Sequence, residues 1–220
     1  MSREGNRQIA ERAGKILAAL REAYGPTRTA LRYEDPWELL VATILSAQCT
    51  DERVNQVTPE LFARYPTIAD FAEADRAELE ELVRPTGFFR NKARAIHESA
   101  QRIAQDFDGE MPQTMEDLTS LRGVARKTAS VVLQAAIKPD GPHDGVVVDT
   151  HVQRLARRMG LVPASWDNAD KIERRLMEVF PQQDWDLAFI FIRHGRAVCT
   201  ARSPKCGECV VYELCPRRGV

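Results

Sequence analysis

The sequence is short of several features that would direct its reading elsewhere. It has only five cysteines and four histidines in 220 residues, and four of those cysteines are confined to one short stretch, so no disulfide framework runs through the chain. No apolar run approaches the roughly 20 residues of a membrane span, which argues against a spanning protein. The opening residues, MSREGNRQIAERAGK, contain no apolar segment of the kind a secretory signal needs, and a cytoplasmic location is expected. There are no internal repeats, no low-complexity tract, and no alternating run bounded by hairpin turns. What remains is 44% hydrophobic and 29% charged, the composition of a soluble globular protein with one large domain or two small ones.

Charge of either sign is nearly balanced at −1 overall, which does not by itself mark a nucleic-acid binder. The distribution is uneven. Residues 1–117 carry net −6 and residues 118–220 net +5. Such asymmetry hints at an anionic partner, although an ordinary solvated surface gives the same totals.

The periodicity that is present is helical. Ile9, Ala13, Ile16, Leu17, Leu20 and Tyr24 fall on one face of a first helix, which Gly25-Pro26 ends. Asp35-Pro36 reads as an N-cap followed by proline in the first turn, opening a helix PWELLVATILSAQ. Further helices are expected over about 51–64, 75–84 and 89–106. A short helix starts at Thr114 and runs to Gly123, and another begins near 125. After a GPHDG loop and an extended VVV entry, Asp149 opens DTHVQRLARRMG, closed by Gly160. Two more helices are expected near 167–179 and 184–197. The fold class is all-α.

Two places carry chemistry. The first is CTARSPKCGECVVYELC, with the spacing Cys199-x6-Cys206-x2-Cys209-x5-Cys215. Four thiols with no histidine among them suit zinc or an iron–sulfur cluster, and the spacing leaves both open. The loop TARSPK between the first two carries Arg202 and Lys205. Pinned at both ends by a metal, it would hold those cations rigidly against a phosphate backbone. The fifth cysteine, Cys49, reads as a half-buried structural thiol.

The second place is LRGVARKTASVVL, a tight turn between two helices. Its backbone N–H groups, together with those of the following helix N-terminus, can bind phosphate without reading sequence, and Gly123 lets the backbone turn and approach closely. Arg126 and Lys127 then stand at the end of a helix that disfavours cations. Lys127 is either a surface lysine or an amine placed where the charged form is disfavoured, as a nucleophilic lysine requires. Asp149 is either a plain helix cap or a partner of that lysine.

Together, LRGVARKTASVVL, VDTHVQRL and the C-x6-C-x2-C-x5-C tail, with LLVATILSAQCTD and GFFRNKA, resemble the endonuclease III family of base excision repair enzymes. The resemblance covers roughly residues 30–215. It implies a six-helix domain with a helix-hairpin-helix motif, about 29–139, and an iron–sulfur cluster domain, 1–28 with 140–220, with DNA bound across the groove between them. It also implies a DNA N-glycosylase with AP lyase activity, acting on duplex DNA that contains oxidised pyrimidines or abasic sites. By the same resemblance Lys127 is the nucleophile and Asp149 its carboxylate partner. Cys199, Cys206, Cys209 and Cys215 hold a 4Fe–4S cluster. Gln48 fills the space left by the extruded base and Phe88 wedges the neighbouring stack. Gly123, Ala125, Arg126, Arg202 and Lys205 contact DNA. A monomer on chromosomal DNA is expected, with no membrane association. Two positions depart from the family pattern: Phe88 replaces the usual leucine, and Ala125 a second hairpin glycine. Alanine at 125 is harmless in helical backbone but weakens the motif if positive φ is needed. Two alternatives accompany this reading. One is a related mispair adenine glycosylase, which lacks a lysine at position 127. The other is a non-catalytic DNA-binding module with a structural metal site.

Overall fold

A computed structural model describes residues 4–220, and every regular element among them is helical. The first three residues of the expected 1–28 segment lie outside the described residues. Backbone contacts group the chain into two units, 29–139 and a discontinuous one formed by the two ends of the chain, 1–28 and 140–220.

The first helix of the 29–139 unit is α2, Pro36–Ser46, since α1, Asn6–Tyr24, belongs to the other unit. The Asp35 side chain caps α2 by accepting from the Glu38 N–H at 2.8 Å, with Pro36 at the first position. Its length of apolar residues is nearly all buried, from Trp37 through Leu45. The helix stops at Ser46, two residues short of the expected end, because Gln48 turns into left-handed backbone. Helix α3, Asp51–Arg64, is capped by Thr50.

Helix α4, Ile68–Glu73, is absent from the sequence expectation. Six residues are too few to display a period. What fixes it is local: the Thr67 hydroxyl accepts from the Asp70 N–H while the Asp70 carboxylate accepts from the Thr67 N–H, a reciprocal cap. Phe71 on this short helix is fully buried and meets Trp37 and Tyr65 with ring centroids 5.3 and 5.4 Å apart. Burial of a phenylalanine contributes about 1.5–3 kcal/mol, so packing rather than propensity holds α4.

Helices α5, Arg76–Val83, and α6, Phe89–Asp106, follow, joined by a 3₁₀ turn at Arg84–Thr86. Helix α6 packs against both α4 and α5 through Ala93, Ile96, Ala100 and Ile103. Helix α7, Met115–Ser120, is capped by Thr114 and ends earlier than expected, leaving 121–125 as the turn. Helix α8, Arg126–Val132, continues into a π-helical turn, Leu133–Ile137.

In the other unit α1, Asn6–Tyr24, buries Ala13, Ile16, Leu17 and Leu20. It packs against α10, Ala169–Val179, and α11, Leu187–Ala197, while α9, Thr150–Arg158, lies against α11. Helix α11 starts three residues later than expected, after a 3₁₀ turn at Gln182–Asp184. The VVV entry before Asp149 is irregular backbone, not a strand. Beyond α11 the chain has only short 3₁₀ turns, at Cys206–Glu208 and Tyr212–Leu214. Among the described residues no helix is long and apolar enough to cross a membrane.

The turn between α7 and α8 rests on Gly123. Its φ is +74°, and an added Cβ would lie 2.8 Å from the Ala95 Cβ of α6. Ala125 has φ −81° and ψ 164°, an extended conformation that alanine adopts without strain. The missing second glycine therefore costs the hairpin no backbone energy. Gly123→Ala should destabilise the protein by at least about 2 kcal/mol, from left-handed strain and overlap with Ala95. Ala125→Gly should change stability by no more than about 1 kcal/mol. Thermal and urea unfolding of both variants check this pair of outcomes.

Candidate active site and metal centre

Lys127 is the second residue of α8 and is exposed. The turn that leads to it is closed by the Val124 N–H donating to the Leu121 carbonyl at 3.3 Å, and Val124 is buried beneath it. Helix α8 has no side-chain cap, so the N–H groups of its first turn are not occupied by one, and Ala125, Arg126 and Lys127 beside them are all exposed. Helix N-termini in general favour anions, and Lys127 places an amine on the first turn of this one.

Asp149 belongs to the other unit. It caps α9 with a single oxygen: Oδ1 accepts from the His151 and Val152 N–H groups, both at 2.8 Å. The capping function expected of an aspartate here is met. The arrangement also fixes the carboxylate's rotamer.

The four C-terminal cysteines are brought together. Cys199, Cys206, Cys209 and Cys215 line one cavity, with His194, Val211 and Tyr212 in its wall. Burial holds the Cys209 and Cys215 thiols above their usual range, and the charges of the neighbouring cysteines add to that shift. Four bare thiolates so placed repel one another, and metal coordination relieves the repulsion. Among the described residues no three His, Cys, Asp or Glu side chains converge closely enough to hold a single ion. Four thiols around a shared cavity are a donor set that an iron–sulfur cluster accepts.

The surroundings of these thiols include residues that the sequence did not reveal. Arg158 of α9 is 8% exposed. Its guanidinium donates to the Thr200 carbonyl at 2.7 Å, the Ala201 carbonyl at 2.9 Å and the Cys199 Sγ at 3.4 Å. Arg154, one turn earlier, donates to the Cys199 carbonyl at 3.1 Å and the Gly195 carbonyl at 3.0 Å. In the sequence these are two arginines on a polar-looking helix, RLARR, with nothing to separate them from solvated surface charge. His194 is buried, and burial pushes its pKa down to about 4. It is therefore neutral, with Nδ1 2.8 Å from the Tyr24 hydroxyl and Nε2 3.5 Å from the Cys209 Sγ. Arg202 and Lys205 are exposed on the loop between the first two cysteines. That loop is pinned from below by Arg158 and internally by the Lys205 N–H donating to the Val198 carbonyl at 2.9 Å.

Gln48 and Phe88 occupy two exposed turns of the 29–139 unit. Both have left-handed backbone, with φ 54° and 49°. Phe88 is 63% exposed, so it is no core aromatic. Cys49, beside Gln48, is half-buried.

Helices packed around a tight glycine hairpin, with a separate thiol-lined C-terminal cavity, are the arrangement that the resemblance to helix-hairpin-helix DNA-repair glycosylases leads one to expect. Comparison with known proteins agrees. Residues 41–182 match the family described as "HhH-GPD superfamily base excision DNA repair protein", and residues 199–215 match the "Iron-sulfur binding domain of endonuclease III". The chain is similar to an endonuclease III of Synechocystis sp., 54% identical over 207 residues covering 94% of this chain and 92% of that protein. It is also similar to an endonuclease III of Bacillus subtilis, 39% identical over 84% of this chain and 83% of that one. Among solved structures it superimposes on an endonuclease III trapped as a covalent intermediate with DNA. The TM-score is 0.85 at 35% identity, covering 94% of this chain and 96% of the other. The chain belongs to the endonuclease III family. It is a base excision repair DNA glycosylase with the AP lyase activity typical of that family, and its C-terminal segment binds an iron–sulfur cluster.

Cys199→Ser should yield protein depleted of iron and of visible absorbance, with a lower melting temperature because the remaining half-buried thiols lose their counter-charge. Iron analysis, absorption spectra and thermal melts of anaerobically purified protein check this. Stoichiometric zinc without iron in the wild type would refute it.

Proposed function

We propose that this enzyme removes oxidised pyrimidines from duplex DNA and cleaves the strand at the resulting abasic site, with Lys127 as nucleophile and Asp149 as its carboxylate partner. The observation that carries the proposal is an exposed amine on the first turn of a helix that has no side-chain cap. The Lys127 nitrogen attacks the anomeric carbon. The glycosidic C–N bond breaks and its electron pair leaves with the base, which takes up a proton. Asp149 stabilises the positive charge that develops on the sugar. Opening of the sugar ring gives an imine between Lys127 and the anomeric carbon. That imine acidifies the adjacent C–H, and loss of its proton expels the 3′ phosphate oxygen. Water attacking the same carbon would release the base but leave no imine, and so could not drive the cut.

Backbone groups at Gly123, Ala125 and Arg126, with Arg202 and Lys205, contact phosphates. Gln48 fills the space of the extruded base, and Phe88 wedges the neighbouring stack. Cys199, Cys206, Cys209 and Cys215 hold a 4Fe–4S cluster, which when bound supplies iron–thiolate bonds that fix the C-terminal loops. The enzyme acts as a monomer in the cytoplasm, on chromosomal DNA. An exposed lysine at position 127 favours this reading over the mispair adenine glycosylase.

Borohydride added during reaction should trap a covalent protein–DNA adduct. Lys127→Ala should abolish the adduct and the strand cut yet bind lesion DNA, as read by gel and by binding isotherms. Asn caps helices as well as Asp does, so Asp149→Asn should keep its fold and its binding while base release falls by a hundredfold or more, about 3 kcal/mol of barrier. Trapping by Lys127→Ala at the wild-type rate would identify another amine as the nucleophile.

Affinity for duplex DNA should fall steeply with salt. Arg202→Ala and Lys205→Ala should each weaken binding evenly across sequences and flatten the log–log salt slope by about one. Metal analysis should return about four irons per chain, as a cubane requires.

A further inference from the structure

Gln48 and Phe88 are two of the four described non-glycine residues with positive φ. Left-handed backbone at such residues persists only where the surroundings over-determine it. Gln48 is the third residue of a type II turn, Ser46–Cys49, closed by the Cys49 N–H donating to the Ser46 carbonyl at 3.0 Å with Ala47 at φ −59° and ψ 114°, a turn that requires positive φ there, whereas Phe88 heads α6 with no side-chain cap bond to hold it. Gln48 follows the last turn of α2, and Phe88 follows Gly87, itself at φ 71°, after the 3₁₀ turn.

One side chain joins both turns. Lys92, on the first turns of α6, is 5% exposed. Its Nζ donates to the Leu45 carbonyl at 2.8 Å and to the Thr86 carbonyl at 2.7 Å. Leu45 lies three residues before Gln48, and Thr86 two before Phe88. Both carbonyls end helical segments, where partial negative charge suits a cation. A buried ammonium is otherwise costly, and burial pushes the Lys92 pKa down. An apolar side chain would fill the same volume without that cost. What the ammonium adds is a link between two chain segments that are distant in sequence.

We propose that Lys92 is a positioning residue for base extrusion: by bonding the Leu45 and Thr86 carbonyls at once, it fixes the Gln48 and Phe88 turns in one register so that filler and wedge enter the duplex as a unit. This rests on the roles given above to Gln48 and Phe88. Lys92 touches neither substrate nor the reacting atoms and acts through those two turns.

The test uses full-length holoenzyme in single-turnover reactions on two substrates, a duplex with an oxidised pyrimidine and the same duplex with a premade abasic site. Lys92→Met should slow excision at least about tenfold, the size expected for loss of a charge-assisted hydrogen bond. Abasic-site cleavage, which needs less extrusion, should slow by no more than about threefold. Lys92→Arg, which keeps charge and several donors, should recover part of the excision rate. In a Gln48→Ala, Phe88→Ala background, adding Lys92→Met should cost less than about twofold, because the groups it positions are gone. Equal losses on both substrates, or an undiminished effect in that background, would make Lys92 a structural residue only and overturn the proposal. If Lys92→Met does not fold, Lys92→Gln, shorter and uncharged, is carried through the same comparison. If the double alanine variant excises normally, the roles of Gln48 and Phe88 fail and the proposal with them. If that variant is slow while Lys92→Met excises normally, the positioning role alone fails.

Discussion

The cluster-bearing segment has almost no regular structure of its own, and the guanidinium of Arg158 is what gives it a fixed shape. Residues 198–215 contain only two 3₁₀ turns, too little to bury a core. Arg158 supplies a rigid fork of donors that satisfies carbonyls of the Cys199–Ala201 stretch and reaches the Cys199 sulfur. Planar and always charged, it can do this where a lysine could not. Arg154 repeats the device one turn away. Both arginines project from α9, the helix that Asp149 caps. The element presenting the proposed catalytic carboxylate and the element organising the thiols are therefore one short helix.

The hairpin shows a different economy. Gly123 is needed twice over, for positive φ and for contact with Ala95 of α6. Position 125 needs neither. The turn thus depends on one glycine, and the departure at Ala125 leaves its backbone unstrained. The helices around the hairpin are packed so that the turn is supported from α6, and Lys127 follows on the first turn beyond it.

Long helices with a buried face were legible: α3 and α6 begin and end where their periodicity placed them, and α1 ends at Tyr24, where Gly25-Pro26 was expected to stop it. So were elements with strong local punctuation, such as Asp35-Pro36 before α2, Thr114 before α7 and Asp149 before α9. Helix α4 was not, because its signal is a reciprocal cap and one phenylalanine whose packing partners lie elsewhere in the chain. The early stop of α2 was hidden for a similar reason, since nothing about glutamine announces left-handed backbone at Gln48. In the candidate site, the thiol spacing, the glycine turn and the lysine at the wrong helix end marked candidates, and the family resemblance gave them their expected roles. Their supports could not. Lys92, Arg154 and Arg158 look like ordinary surface charges, and only the fold reveals that they are turned inward onto carbonyls.

The cap at Asp149 has a consequence for how the proposed catalytic carboxylate would meet a substrate. One oxygen is committed to two backbone N–H groups, so rotation about the side-chain bonds is already lost when α9 forms. The other oxygen is presented in a single direction. The ordering cost of aiming that charge falls on folding rather than on each encounter with DNA. A longer carboxylate, such as glutamate, would regain the freedom that the cap removes, and so would have to be ordered anew at every turnover.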